Sequence, residues 1–196
     1  METTVIVVVS CHFAEKDKLC PTTLNRLSHA LKCAAECEIS EGRIDVAFVV
    51  TGNVPYEKGS KTLAELMREY LFKNYIHLIY TRVHIGEGVG IFSESRNVTH
   101  DVRKLIHDAS KIIVVSSNWY FWAGAPLWKK FGQENGLEVQ ILPIYGTGGW
   151  KTKLIYAVYG LIVRASLIFG FSSLVEKQLT KMQLSRKEGF TFDGCR

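Results

Sequence analysis

Short runs of β-branched, apolar residues alternate along this chain with longer segments of helical periodicity. The runs cover residues 5–9, 46–50, 77–80, 112–115 and 139–142. Their length and composition are typical of buried strands. Between them, apolar residues recur every three or four positions over residues 24–35, 63–70, 98–106 and 121–131. Strict alternation of this kind predicts an α/β fold, Rossmann-like and doubly wound, with a mostly parallel five-stranded sheet and helices on both faces.

The length and composition of the chain indicate a single domain. Its 196 residues are 47% hydrophobic and 22% charged, which is enough to bury a substantial core. Residues 1–150 are expected to form the α/β domain, and residues 151–196 an apolar helix and a basic tail packed on it. This second part carries the net charge of +5, since it has 8 Lys and Arg against 3 Asp and Glu, whereas residues 1–150 have 16 of each. A basic excess confined to the tail disfavours nucleic acid as a partner.

The cysteines and the N-terminal segment predict a cytoplasmic protein. The five cysteines are odd in number and match no disulfide, metal or redox spacing, which is typical of a reducing compartment. The N-terminal METTVIVVVSC has a short apolar run without a preceding basic region, as expected for a first strand and not for a signal peptide. On these grounds the sequence predicts neither a disulfide framework nor a metal site.

Two arrangements of cysteine and histidine invite a chemical interpretation. Cys11 and His12 follow the first strand, where α/β enzymes place nucleophiles. Adjacent side chains of an extended segment point to opposite faces, however, which favours a buried and inert cysteine. His29, Cys33 and Cys37 share one helical face, but at a rise of about 1.5 Å per residue the outer two are roughly 12 Å apart, too far for one metal ion. A stripe facing the core is the preferred interpretation.

Small or hydrogen-bonding residues follow the predicted strands, where the carboxyl ends of a parallel sheet meet. Such residues form turns and helix caps in many proteins, but their recurrence after every strand predicts a ligand pocket at this edge. Those we select as ligand contacts are Ser10, Thr51, Gly52, Ser117 and Asn118.

The chain has an Arg-Leu pair followed by Ala at 26, 27 and 30, a Gly-containing turn at Thr51 and Gly52, and the pair Ser95 and Asn97. With these motifs it resembles the YdcF-like domain family of bacteria, which includes ElyC and SanA, over roughly residues 4–145. The family's first helix has an Arg-Leu pair and a following Ala, here Arg26, Leu27 and Ala30. Its second strand ends in a Gly-containing turn, here Thr51 and Gly52, and the next helix resembles this chain at Ala64, Met67, Tyr70 and Leu71. Its Ser-x-Asn-Thr-x-Glu-Asn motif is similar to the stretch from Ser95 to Asp101, where Ser95 and Asn97 match and Val98, His100 and Asp101 depart.

A later family segment is similar to the residues after the fourth predicted strand. Ser117 matches and Asn118 stands for the usual Asp, but Tyr120 and Ala123 replace the family's His and Arg. The resemblance implies a Rossmann-like pocket for a nucleotide-like or phosphorylated ligand, with S-adenosylmethionine as one candidate, in envelope-related metabolism. It implies no particular reaction. Loss of the Arg weakens the transfer of the anion site, because a methyl group cannot replace a bidentate donor.

The polar stretch before the third predicted helix offers further candidates. Ser95 and Asn97 are expected to precede this helix, where they would either cap it or contact the ligand, with Arg96 as an anion partner. Glu87 and Glu94 are the carboxylates of the glycine-rich segment. They are either an acid/base or ribose partner or solvated loop residues, and the second interpretation is favoured slightly.

Residues 154–175 form an apolar stretch of 22 residues flanked by Lys151, Lys153 and Lys177. The stretch is long enough to span a bilayer. Arg164 interrupts it near the middle, at a cost of about 2.5 to 3.5 kcal/mol for insertion. Three interpretations stay open, namely packing against the domain or a second copy of the chain, binding at a membrane surface, and spanning. The alternative function is therefore a non-catalytic protein that docks on a membrane or partner through this segment.

Overall fold

The computed structural model describes residues 3–40, 45–74, 82–145 and 148–184. Its strands in chain order are β1 (Thr3–Val8), β2 (Phe13–Glu15), β3 (Lys18–Leu19), β4 (Asp45–Val50), β5 (Val83–Ile85), β6 (Ala109–Ser117) and β7 (Glu138–Ile144). Its helices are α1 (Pro21–Ser40), α2 (Leu63–Asn74), α3 (Ile91–Leu105), α4 (Phe121–Glu134), α5 (Trp150–Phe169) and α6 (Ser172–Leu184).

Five strands form one parallel sheet in the order β5-β4-β1-β6-β7. The predicted doubly wound α/β fold is confirmed. Strands β2 and β3 form a separate antiparallel hairpin between β1 and α1, which the sequence did not predict. The predicted strand at residues 77–80 lies outside the described residues, and the edge strand that the structure describes is β5.

Helices cover both faces of the sheet because the strands carry apolar side chains on both sides. On one face, Ile6, Val8, Phe48 and Val115 pack with the apolar residues of α1 and α2. On the other face, the alternate strand positions pack with α3 and α4, for example through Val98, Val102 and Trp128. This two-sided burial accounts for the continuous apolar runs in the sequence.

The chain reverses its direction of winding between β1 and β6. From β1 it passes through α1 to β4 and then β5 on one side, whereas β6 and β7 are added on the other side. The connections after β1 and β6 therefore lead to opposite faces of the sheet, and we call the region between them, beyond the carboxyl ends of these two strands, the crevice. In doubly wound sheets such a switch point is where ligands bind.

The apolar C-terminal segment is not one helix. Helix α5 ends at Gly170, which takes the left-handed conformation at φ 76°, and α6 begins two residues later. The prediction of a single 22-residue helix is therefore wrong, and a glycine at the C-cap is the physical reason. Helix α5 packs closely on α4, since a Cβ at Gly160 would lie 2.5 Å from the carbonyl oxygen of Trp122. The predicted tail at residues 185–196 lies outside the described residues.

Much of α5 faces outward. It is long and apolar enough to cross a membrane by length and composition, with a mean hydropathy of 1.5, and 22% of that window is buried. Length and composition are weak evidence, because core helices of soluble proteins share both. The exposed large apolar side chains on α5, α6 and the turn between them are Trp150, Leu154, Ile155, Val158, Leu161, Ile162, Ile168, Phe169, Phe171 and Leu174.

Candidate ligand site at the switch point of the sheet

The guanidinium of Arg26 lies at the switch point. Helix α1 follows the hairpin after β1, and its second turn brings Arg26 to the strand ends with only 1% of the residue exposed. Nη1 donates to the carbonyl oxygens of Val9 and Ser10, both at 2.7 Å, while Nε and Nη2 donate to Ser117 Oγ at 3.3 and 2.9 Å. These bonds tie the loops after β1 and β6 to one cation.

No carboxylate among the described residues forms an ion pair with this cation. The indole of Trp119 lies against it, with its ring centroid 5.5 Å from Arg26 Cζ. A buried charge is costly unless an opposite charge compensates for it. An anionic ligand in the crevice would compensate this charge.

Three buried polar atoms at the end of β6 have no hydrogen-bond partner within the described part of the chain. They are Ser116 Oγ, Asn118 Oδ1 and Trp119 Nε1. Buried polar atoms in folded proteins are nearly always bonded, so each exception calls for an explanation. Trp119 lies against the Arg26 guanidinium and Asn118 follows Ser117, which bonds to Arg26, so these two residues offer polar atoms to a ligand near that cation.

The loops after β1 and β4 form a second wall of the crevice. The backbone N–H of Ser10 donates to Thr51 Oγ1 at 3.3 Å. Gly52 follows with φ 112°, and a Cβ at this position would collide with Ser10 Oγ. Glycine is required here because the backbone approaches closely and takes a left-handed conformation. The structure thus brings together Ser10, Thr51 and Gly52, and places Ser117 and Asn118 at the end of β6.

Glu94 approaches the same cation from α3, on the opposite face of the sheet. It is 9% exposed, and burial raises the pKa of its carboxyl to about 7, while the positive charge of Arg26 acts to lower it. Burial and then the field of Glu94 raise the pKa of Tyr120 well above 10. The expectation of a solvated loop residue is wrong for Glu94, whereas Glu87 is exposed. A carboxyl that titrates near neutral pH beside a fixed cation is suited to proton transfer.

The polar stretch of α3 is placed differently from the prediction. The helix begins at Ile91, so Ser95 and Asn97 lie inside it and do not cap it. Ser95 is fully buried and its hydroxyl donates to the carbonyl oxygens of Ile91 and Phe92 at 2.7 and 3.0 Å. Asn97 is half-buried, and ligand contact by either residue stays a prediction.

Arg96 is not available as the predicted anion partner. It forms a two-point ion pair with Glu176 of α6, with both N–O distances 2.7 Å. The pair holds α6 against α3 at the protein surface. The cation of the crevice is instead Arg26, which the sequence pointed to only through the family resemblance.

The aromatic run after β6 lines the base of the site. Trp119, Tyr120 and Phe121 are buried, while Trp122 is partly exposed on the outer side of α4. The ring centroids of Trp119 and Tyr156 are 4.6 Å apart, which connects the site to α5. Gly148 approaches the indole so closely that a Cβ there would lie 2.5 Å from Trp119 Nε1.

Cys11 and His12 do not point apart as predicted. The chain after β1 is no longer extended, and Cys11 Sγ lies 3.2 Å from His12 Nδ1. The predicted stripe of His29, Cys33 and Cys37 offers no reactive thiol at position 33. Burial and the neighbouring Cys37 raise the pKa of the Cys33 thiol to about 11.

Comparisons with known proteins assign neither a family nor a function to the chain. A scan of known protein families finds none that matches the chain, and a search of curated proteins finds no match either.

Proposed function

We propose that the protein binds a small nucleotide-like or phosphorylated ligand in the crevice at the switch point. The observation that carries this proposal is the buried guanidinium of Arg26, which forms no ion pair with a carboxylate among the described residues and lies near the buried Asn118 Oδ1 and Trp119 Nε1, which have no hydrogen-bond partner there. Ser10 and Asn118 are partly exposed and are the expected contacts at the surface of the crevice, while Arg26 and the fully buried Ser117 bonded to it lie beneath them. One of its Nη2 protons has no acceptor among the described residues and is left for the ligand.

The charge of the crevice depends on the protonation of Glu94. Below about pH 7 the Glu94 carboxyl is neutral and leaves the positive charge of Arg26 uncompensated. Above about pH 7 the Glu94 carboxylate compensates part of that charge. Anions are therefore expected to bind more tightly on the acidic side of neutrality. A ligand with both a carboxylate and a cation, such as S-adenosylmethionine, would suit the ionised form as well.

The resemblance to the YdcF-like domain family supports the same class of ligand. The Arg of the family's first helix corresponds to Arg26, and the Ser after its fourth strand to Ser117. The family's later His and Arg are replaced by Tyr120 and Ala123, both of which are buried here. Membership in this family, a cytoplasmic location and a role in envelope-related metabolism stand as part of the proposal.

A thermal-unfolding screen at pH 6 tests the proposed function. The probes are inorganic phosphate, AMP, ADP, S-adenosylmethionine and S-adenosylhomocysteine. At about 100 times its dissociation constant, a ligand adds roughly 2.7 kcal/mol to the free energy of unfolding. We expect at least one probe to raise the unfolding temperature of the wild type and of Arg96→Met, a control outside the crevice. No shift with any probe would contradict the proposal.

The outward face of α5 and α6 favours a second candidate function, docking on a membrane surface. Ten large apolar side chains are exposed on these helices and the turn between them, and such a concentration is typical of an interaction surface. Lys151 and Lys153 at one end and Lys177 at the other add positive charge, which favours anionic lipid. Under this proposal the cytoplasmic protein is peripheral to the membrane. A second copy of the chain is the competing occupant.

The double variant Leu161→Ser with Phe169→Ser tests this docking. Both side chains are exposed on α5, and each loses roughly 1.5 kcal/mol or more of burial in lipid, so vesicle binding should weaken at least about 100-fold. Co-sedimentation with vesicles of anionic and neutral lipid measures it. The control is Val54→Ser with Leu105→Ser, two exposed side chains elsewhere on the domain. Absence of wild-type binding to anionic vesicles, or a dimer that buries this face, would contradict membrane docking.

A further inference from the structure

The hairpin β2–β3 reverses the chain, so that its last residues lie next to the residues that follow β1. Phe13 pairs with Leu19, so the residues that flank the hairpin, His12 and Cys20, become neighbours although eight positions separate them. Asp17 allows the tight reversal with φ 55°. The sequence could not show this juxtaposition, because Cys11 and Cys20 do not have the short spacing of known metal motifs.

One ligand atom each from Cys11, His12 and Cys20 lies within 4.8 Å of the other two. Tetrahedral zinc with bonds of about 2.0 to 2.3 Å places its ligand atoms roughly 3.3 to 3.8 Å apart. The Cys11 Sγ to His12 Nδ1 distance of 3.2 Å is just below this range, and small rotations of the side chains would bring all three ligand atoms to the ion. Two sulfurs and an imidazole nitrogen are a donor set for a soft or borderline cation.

The start of α1 supports Cys20 as a ligand. Cys20 immediately precedes α1, and the backbone N–H of Thr23 donates to Cys20 Sγ at 3.4 Å. A helix N-terminus and a donated N–H both favour a thiolate. Thr23 Oγ1 also accepts from the backbone N–H of Cys11 at 3.2 Å, which fixes the two cysteines relative to each other. Such outer contacts orient the ligands of metal sites in proteins.

We propose that Cys11, His12 and Cys20 bind one zinc ion, with the fourth coordination position open to water or a ligand. Cys20 is buried, whereas Cys11 and His12 are partly exposed, so the ion can enter and one of its faces reaches solvent. Binding displaces the two thiol protons, which leave to solvent, and the imidazole coordinates in its neutral form. The site lies next to the crevice of Arg26, whose Nη1 holds the carbonyl of Ser10. It does not depend on the ligand proposed for that crevice.

Titration of the reduced full-length chain with Co²⁺ tests this site, because Co²⁺ reports thiolate ligands by absorption. We expect one Co²⁺ per chain, a near-ultraviolet thiolate charge-transfer band, visible bands of tetrahedral coordination, and displacement of all of them by Zn²⁺. Cys11→Ser and Cys20→Ser should each weaken binding at least about 100-fold and His12→Gln about tenfold or more. Cys20→Ser and His12→Gln are both expected to fold. A serine at position 20 can still cap α1, and His12 is partly exposed, so its replacement leaves the core unchanged.

The double variant Cys33→Ser with Cys37→Ser is the matched control, since its thiols lie further along α1. It should keep the full Co²⁺ spectrum and stoichiometry. A spectrum that survives Cys20→Ser, or that disappears in the control, would overturn the proposal. So would reduced, folded protein that binds neither metal, or a Cys11–Cys20 disulfide that proves to be the stable form under reducing conditions.

Discussion

Glu94→Gln is expected to stabilise the protein at alkaline pH relative to the wild type. The buried carboxyl has a pKa of about 7 in the folded protein, against an ordinary value of 4.5. The folded state therefore binds more protons than the unfolded state between these two values, and the wild type loses stability as pH rises through that window. Its contribution is fully present below pH 4.5 and fully lost above pH 7. The shift corresponds to about 3 kcal/mol.

Glutamine keeps the size of the side chain but does not ionise, so the variant does not lose this stability as the pH rises. The difference in free energy of unfolding between variant and wild type should grow by about 3 kcal/mol from pH 4 to pH 8.5, measured by urea denaturation at each pH. Glu87→Gln is the matched control. Glu87 is exposed, so its replacement should change stability by less than about 0.5 kcal/mol at either pH. Equal pH dependence in the wild type and Glu94→Gln would contradict the burial of a titrating carboxyl.

Arg26→Met is expected to abolish most of the affinity for anions. Methionine occupies much of the volume of the arginine stem but removes the charge. At an effective dielectric constant of about 20, an anion roughly 5 Å from the guanidinium gains about 3 kcal/mol, which is an upper estimate for a site at the edge of the sheet. Loss of that attraction should weaken binding of the best anionic probe by about 10- to 100-fold, measured by isothermal titration calorimetry at pH 6.

Arg96→Met is the control for this substitution. Arg96 is a surface arginine of α3 whose ion pair with Glu176 lies outside the crevice. Its variant should bind the anion as the wild type does. Because Arg26 also bonds to Val9 and Ser10, unfolding by urea must show that Arg26→Met is folded at the temperature of the titration. If Arg26→Met is folded and binds the anion with wild-type affinity, the anion binds elsewhere and the proposed site is wrong.

The fold could be predicted from the sequence because strands buried on both faces consist of continuous apolar residues. Continuous β-branched runs identified β1, β4, β6 and β7 within a few residues of their bounds. The start of α3 could not be predicted so well. Ser95 and Thr99 are polar but fully buried, since their hydroxyls donate to carbonyls of the preceding turn. That bonding lets small polar residues occupy the buried face of a helix, which hides its periodicity.

The site could be predicted only in part. Residues that follow strands are recognisable in sequence, and Ser10, Thr51, Gly52, Ser117 and Asn118 do lie at the carboxyl edge. Desolvation is a property of the folded surroundings, so the sequence could not distinguish the buried Glu94 from the exposed Glu87. The position of Cys20 beside Cys11 depends on a short hairpin that has no strong sequence signal.

Crystals soaked in tungstate would test the central claim, that the switch-point crevice holds an anion. Tungstate is a tetrahedral oxyanion like phosphate, and its anomalous scattering locates it without ambiguity. We expect one strong peak at pH 6 within about 5 Å of the Arg26 guanidinium, at a distance where the Coulomb attraction is still large, close to Ser10 and Asn118. Peaks confined to exposed lysines such as Lys151 and Lys177, or no peak at all, would contradict the account.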